Sequence, residues 1–263
     1  MSRSTLQRIF KRIGITKWRA KKRPKLTTTV ARLRLQFARD PSWRTHDWEG
    51  PFSAPNPVIK FSDECSVIRG KSGKQVWVFR TPKQKWDKEM IEEKERGKGM
   101  AQMFWGAIWV GGRSKLIVME RDEGAARRGY SSISYQTTLE EGLLPNWDKD
   151  IDLFMQDNAS IHKSGSTRDW LDANKVETLL NLPPYPPDLN PIEHLWWKLK
   201  KTITELHPDL RDDGWGEDSR ERFCHAAVEA WDAIAQDWID NIILSMPHRL
   251  EAVRKARGWH TKY

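Results

Sequence analysis

The sequence predicts a mixed α/β sheet flanked by helices, preceded by a short basic helical arm. Three observations carry that reading. Residues 1–39 hold thirteen Lys/Arg and no Asp/Glu. Between residues 58 and 119, short β-branched and aromatic runs recur, bounded by turn residues. Beyond them, strand-like and helical patterns alternate, as they do when helices lie on a sheet.

The elements follow in chain order. Ser4 to Ile13 reads as a basic helix, with Ser4 as N-cap, Leu6, Ile9, Phe10 and Ile13 at helical spacing, and Gly14 as its stop. A Lys/Arg-rich linker leads to a second helix from about Thr28 to Arg39, which Asp40-Pro41 ends. Gly50 to Pro57 contains three prolines and marks a boundary. Val58 to Ser62 is a short strand that ends at Asp63. Gln75 to Arg80, Met103 to Val110 and Lys115 to Met119 are further strands, with Gly111-Gly112 a hairpin-like turn between the last two. Ser132 to Glu141 is expected to be helical, Asp152 to Gln156 a strand ending at Asp157, Thr167 to Ala173 a helix and Glu177 to Asn181 a strand. Pro183 to Pro187 is a rigid connector before a helix from Pro191 to Leu206, whose apolar stripe is Ile192, Leu195, Trp196, Leu199, Ile203 and Leu206. The remainder is helical apart from a Gly/Asp-rich loop near Arg211 to Asp218. The domains expected are 1–16, a basic module; 17–56, a basic linker and helix; 57–206, the sheet-containing core; and 207–263, a helical extension.

Composition narrows the function. At 263 residues the chain can bury a sizeable core. No run approaches the roughly 18 apolar residues of a membrane span. Cys65 and Cys224 are far apart and lack Cys/His partners at metal spacing, which disfavours a zinc site or a disulfide framework. The net charge of +9 is confined to one end, because the chain after residue 39 is net acidic. A basic arm attracts polyanions and gains free energy by releasing counterions from DNA. Arg3, Arg8, Lys11, Arg12, Lys17, Arg19, Lys21, Lys22, Arg23 and Lys25 are the DNA-binding candidates. Such an arm also serves as a nuclear-import signal, so a nuclear location is expected.

Three carboxylates are the chemical candidates: Asp63 in Phe-Ser-Asp-Glu, Asp157 in Gln-Asp-Asn and Glu193 in Asn-Pro-Ile-Glu. Asp63 and Asp157 fall at the carboxyl ends of expected strands, where open α/β sheets collect their ligands. Hard divalent cations prefer carboxylate oxygens and keep several waters, so two or three acids suffice to seat them. Two such ions can activate an attacking oxygen and stabilise a leaving one during in-line phosphoryl transfer. Bland readings stand beside this. Either aspartate could bond loop amides, and Asn190 followed by Pro191 and Glu193 fits a capping box.

Three blocks resemble the signatures of the Tc1/mariner transposases: Phe61 to Cys65, Gln156 to His162, and the ten residues Pro187 to Trp196. The segment from Met246 through Trp259 resembles the family's C-terminal end, and the resemblance runs from Arg3 onward. It implies a ribonuclease-H-like mixed sheet with Asp63, Asp157 and Glu193 as the DDE triad, and Asn158 and His162 as outer residues near the metals. It implies Mg²⁺, with Mn²⁺ as a substitute and two ions per site. The implied activity is cleavage and strand transfer of an element with inverted terminal repeats, joining transposon ends to target DNA as a homodimer. Thirty-five residues separate Asp157 from Glu193, one more than is usual in the Tc1 branch. Ser4 to Ile13 resembles only the last helix of the family's paired helix-turn-helix modules. A catalytically silent, truncated or domesticated DNA-binding protein is the alternative.

Overall fold

A computed structural model describes residues 3–12, 26–53, 55–68, 101–125, 129–184, 188–211 and 216–263. The strand expected at Gln75 to Arg80 lies outside these residues.

Among the described residues five strands form one sheet: β1 (Val58–Ile68), β2 (Ala101–Trp109), β3 (Gly112–Arg113), β4 (Ile117–Val118) and β5 (Asp152–Met155). The order is β3-β2-β1-β5, with β4 also on β2. β1 runs antiparallel to β2, from Phe61↔Ile108 to Ile68↔Ala101, and parallel to β5, from Val58↔Asp152 to Phe61↔Met155. The β1 pattern therefore extends well past Ser62. Its parallel ladder stops at Phe61, but its antiparallel ladder continues, so Asp63 sits inside a strand and not at its end. The strand expected at Glu177 to Asn181 is reduced to a single bridge, Phe154↔Thr178.

Nine α-helices are present among the described residues: α1 (Arg3–Arg12), α2 (Thr28–Ala38), α3 (Ser42–Thr45), α4 (Ser132–Gly142), α5 (Gly165–Ala173), α6 (Ile192–Leu206), α7 (Glu217–Asp232), α8 (Gln236–Ile243) and α9 (Met246–Lys255). Local chemistry sets several starts. Thr27 Oγ1 accepts the Val30 amide at 3.2 Å, and Ser164 Oγ accepts the Thr167 amide at 3.2 Å. Ser131 and Ser134 exchange side chain-to-amide bonds across the first turn of α4.

Strand alternation divides the core into two layers. Ile59, Phe61, Cys65 and Val67 of β1 face α6 and the helices around it, in a cluster that extends to Phe37 of α2 and Val253 of α9. Trp105 and Ala107 of β2 and Phe154 of β5 face the other way, onto Tyr135 and Leu139 of α4 and Leu171 of α5. Gly106 is the cross-strand partner of Asp63. A Cβ there would stand 2.8 Å from the Trp231 ring and 3.3 Å from Trp196, two indoles packed 5.5 Å apart beneath the strand. The missing side chain is what lets α6 and α7 approach the sheet at the level of the acid. No described helix is long and apolar enough to cross a membrane.

Candidate active site

The parallel ladder brings the first two acids together. Phe61 and Met155 are its last pair, and two further steps along each chain reach Asp63 and Asp157. Adjacent strands lie about 4.8 Å apart, so the two carboxylates leave the ladder at one level on neighbouring chains.

Glu193 arrives on the first turn of α6. Asn190 holds that helix to the sheet, its side-chain amide donating to the Ser62 carbonyl at 3.0 Å. The expected capping box does not form. Helix α6 begins at Ile192, after Pro191, with no side-chain cap, and Asn190 Oδ1 approaches only the Ile192 amide, at 3.4 Å. Asn190 spends its amide on β1, beside Asp63.

The electrostatics show three acids that feel one another. Burial raises the Asp63 carboxyl well above its ordinary range, and the charges of Glu193, Glu64 and Asp157 push the same way against one bond from the Glu64 amide at 2.9 Å. Glu193 is open to solvent on one side yet has enough protein around it to be raised too, by desolvation and then Asp157, although Lys200 opposes the shift. Asp157 moves down, because His162 hydrogen-bonds it and the Ala159 amide donates to it at 2.7 Å. A cation seated among these groups would relieve the repulsion. Oxygen-only donors of this kind suit a hard divalent ion. In the described residues no three His, Cys, Asp or Glu side chains already converge at ligating distance; Asp157 Oδ1 is turned onto His162.

Behind the acids is a buried group of a different kind. His162 Nδ1 lies 2.8 Å from Asp157 Oδ1, and its Nε2 lies 3.3 Å from Glu64 Oε1. Burial pulls the imidazole pKa down, but the Asp157 and Glu64 carboxylates outweigh it and lift the value to about 10; Nε2 and Glu64 Oε1 meet as an ion pair without hydrogen-bond geometry. The His162 ring packs tilted against Tyr135, with centroids 4.2 Å apart, and the Tyr135 hydroxyl donates to Gln156 Oε1 at 2.7 Å. Asn158 is placed elsewhere: its amide donates to the Leu182 carbonyl at 2.8 Å and ties the end of β5 to the 182 turn.

A second polar knot lies under the turn before α6. The buried Asp188 carboxylate pairs with Arg34 of α2 and accepts the Thr261 hydroxyl at 2.8 Å. Arg34 Nε donates to the Gly258 carbonyl at 2.8 Å. Gly258 has φ +85°, and a Cβ there would strike the Ala31 carbonyl, so only glycine permits α2 to come this close. Arg249 of α9 reaches the Asp188 carbonyl at 3.2 Å and the His194 ring at 3.2 Å.

Of the residues expected from sequence, Asp63, Asp157, Glu193 and His162 are brought together. Glu64, Tyr135, Asn190 and Lys200 join them unannounced. Glu64 and Asn190 stood inside the recognised blocks, whereas Tyr135 had no local signal. Arg3, Arg8, Lys11 and Arg12 lie on α1, where Arg8 and Arg12 are exposed. Lys17, Arg19, Lys21, Lys22, Arg23 and Lys25 fall outside the described residues.

Residues 126–212, which include Asp157 and Glu193, match the family described as DDE superfamily endonuclease. Over its whole length the chain is 26% identical to the Tcb1 transposase of Caenorhabditis briggsae and 26% identical to the Tc1 transposase of Caenorhabditis elegans, covering 88% of each. Among solved structures, a Mos1 transposase paired-end complex with left transposon end superposes at TM-score 0.69 and 17% identity, covering 100% of this chain and 72% of that one. Mos1 mariner paired-end complexes with Mn and with Mg superpose at 0.66 and 0.68, each at 16% identity and the same coverage. The Mos1 catalytic domain superposes at 0.58 and 16% identity, covering 92% of this chain and all of that one. The chain is thus similar along its whole length to Tc1-type transposases, carries a segment that matches the DDE endonuclease family, and has the fold of the Mos1 transposase catalytic domain.

Proposed function

We propose that this chain is a transposase that cleaves DNA and transfers strands with divalent metal, and that Asp63, Asp157 and Glu193 hold the metal. The observation that carries the reading is that Asp63 of β1, Asp157 after β5 and Glu193 in the first turn of α6 lie close enough for their charges to act on one another, Asp63 being raised by burial first and then by Glu193, Glu64 and Asp157. When bound, Mg²⁺ or Mn²⁺, as two ions, supplies the charge that activates the attacking oxygen and stabilises the leaving one. The protein's part is positioning. Asn190 fixes the direction of Glu193, and the His162 imidazolium orients Asp157 from behind while compensating Glu64. Solved relatives carrying transposon-end DNA, Mn or Mg support the choice of substrate and ion. On this reading the chain excises and reinserts an element with inverted terminal repeats, acts in the nucleus and works as a homodimer on DNA. Basic residues of the N-terminal arm hold phosphates without reading sequence.

Nicking and strand transfer on end-containing DNA with Mg²⁺ or Mn²⁺ test this. Wild type should cut and join, Asp157→Asn should do neither, and both should bind DNA equally in EDTA. If wild type and variant bind DNA and are equally inert, the protein is a silent DNA-binding derivative.

A further inference from the structure

Helix α6 carries more than the third acid on its open side. At about 100° per residue, Glu193, Trp197, Lys200, Lys201 and Thr204 fall within an arc of roughly 100°. Ile192, Leu195, Trp196, Leu199 and Ile203 take the buried face. The two adjacent tryptophans have opposite fates. Trp196 is 3% exposed and fills the space above Gly106, whereas Trp197 is 64% exposed. Core packing therefore accounts for the first indole and not for the second.

The groups around Trp197 are cationic. Lys201 Nζ lies 5.9 Å from its ring centroid and 3.1 Å from Glu205, one turn further on. Lys200 is exposed, near enough to Glu193 and to Cys65 of β1 to act on both electrostatically. An exposed indole flanked by lysines is the chemistry that takes a nucleic-acid strand: the ring stacks on a base, and the ammonium groups meet phosphates. A rise of about 1.5 Å per residue puts Trp197 roughly 6 Å and Lys201 roughly 12 Å along the axis from Glu193. Those offsets correspond to roughly two and four base steps of about 3.4 Å.

We infer that this stripe of α6 is a strand-docking surface, on which Trp197 stacks against an unpaired base while Lys200 and Lys201 hold the phosphates beside it. The base must be unpaired, because bases within a duplex have both faces covered by their neighbours. The occupant is thus a single-stranded or flipped nucleotide within a few steps of the bond presented to Glu193. The inference rests on the proposed DNA chemistry at the acids, but it is judged by binding alone.

The test uses the full chain in EDTA and two fluorescent DNA probes carrying 2-aminopurine, one fully paired and one with a short single-stranded overhang. Stacking on Trp197 should quench the overhang probe. Trp197→Ala should abolish that quench and weaken overhang binding by about 5- to 160-fold, the range that loss of one base–aromatic stack produces. Trp197→Phe should retain most of both, and affinity for the paired probe should be unchanged. The double variant Lys200→Gln/Lys201→Gln should reduce the salt dependence of overhang binding by about 1.4 in log–log slope, two single-strand phosphate contacts. Thermal melting of Trp197→Ala should match wild type, since the ring is exposed. Unchanged overhang affinity in Trp197→Ala overturns the inference, as does equal loss on both probes. So does a dimer that sediments as monomers in Trp197→Ala with DNA binding intact, which would make the indole a protein contact. Asp157→Asn separates the two readings: cleavage that survives in it refutes the catalytic assignment and leaves the binding result standing.

Discussion

Asp188→Leu probes the clasp beneath α6. Arg34 is 2% exposed, and the carboxylate it pairs with is also buried. Replacing that carboxylate by an apolar group of similar size removes the Asp188 charge from beside the buried guanidinium. Breaking a buried pair from one side costs about 3–5 kcal/mol. Loss of the acceptor for the Thr261 hydroxyl adds about 1 kcal/mol. The Arg249 contact is to the Asp188 backbone carbonyl and survives. At roughly 2–4 °C per kcal/mol for chains of this size, the melting temperature should fall by about 8–24 °C. Calorimetry or urea unfolding at fixed protein concentration measures it. The double variant Arg34→Met/Asp188→Leu removes both charges and should recover more than half of the loss. A single-variant loss below about 1 kcal/mol, or a double variant no more stable than the single, would refute the reasoning.

Gly106→Ala should cost about 1–3 kcal/mol by overpacking, because its Cβ meets the Trp231 ring at 2.8 Å; urea unfolding checks it, and a neutral result would mean that the indoles can retreat. Lys60→Met should cost about 3–5 kcal/mol, since it strands the buried Asp152 carboxylate that Lys60 meets at 3.1 Å. His162 titrates higher in the folded chain, about 10, than its ordinary 6.5. Its stabilising contribution is therefore complete below pH 6.5 and lost as pH rises through about 10. The stability difference between wild type and His162→Gln, measured in EDTA, should shrink across that window; a difference constant with pH would show that the imidazole is not held as a cation.

Short-range signals mark the three candidate acids only weakly, and the resemblance of the blocks around them is what singles them out. Asp63 and Asp157 each follow a β-branched or aromatic run, and Glu193 sits just after a proline at the start of a clearly amphipathic helix. What those signals could not give is pairing. The extent of β1 depends on β2, a partner beyond residue 100, so a strand that looked finished at Ser62 runs on to Ile68. Asn190 offered the right spacing for a cap, but its side chain is turned to donate to a carbonyl on β1, and its Oδ1 meets only the Ile192 amide, at 3.4 Å. Tyr135 and Glu64 meet His162 only because α4 and the end of β5 are folded onto one face of β1. The role of Asp188 was equally hidden. A charged residue in a recognised block reads as chemistry, yet this one is a structural anchor whose partners lie on α2 and beyond α9.

That anchor has a temporal side. Arg34 and the Gly258 carbonyl it bonds are 224 residues apart in the chain. Contacts of such long sequence separation form late, after the loop between them has been closed by other structure. During synthesis from the N-terminus, Arg34 must wait for Gly258 and Thr261 to emerge, while Asp63, Asp157 and Glu193 are already in the growing chain. A nascent or prematurely terminated polypeptide can therefore carry every acid of the site and still lack the fastening beneath its third one.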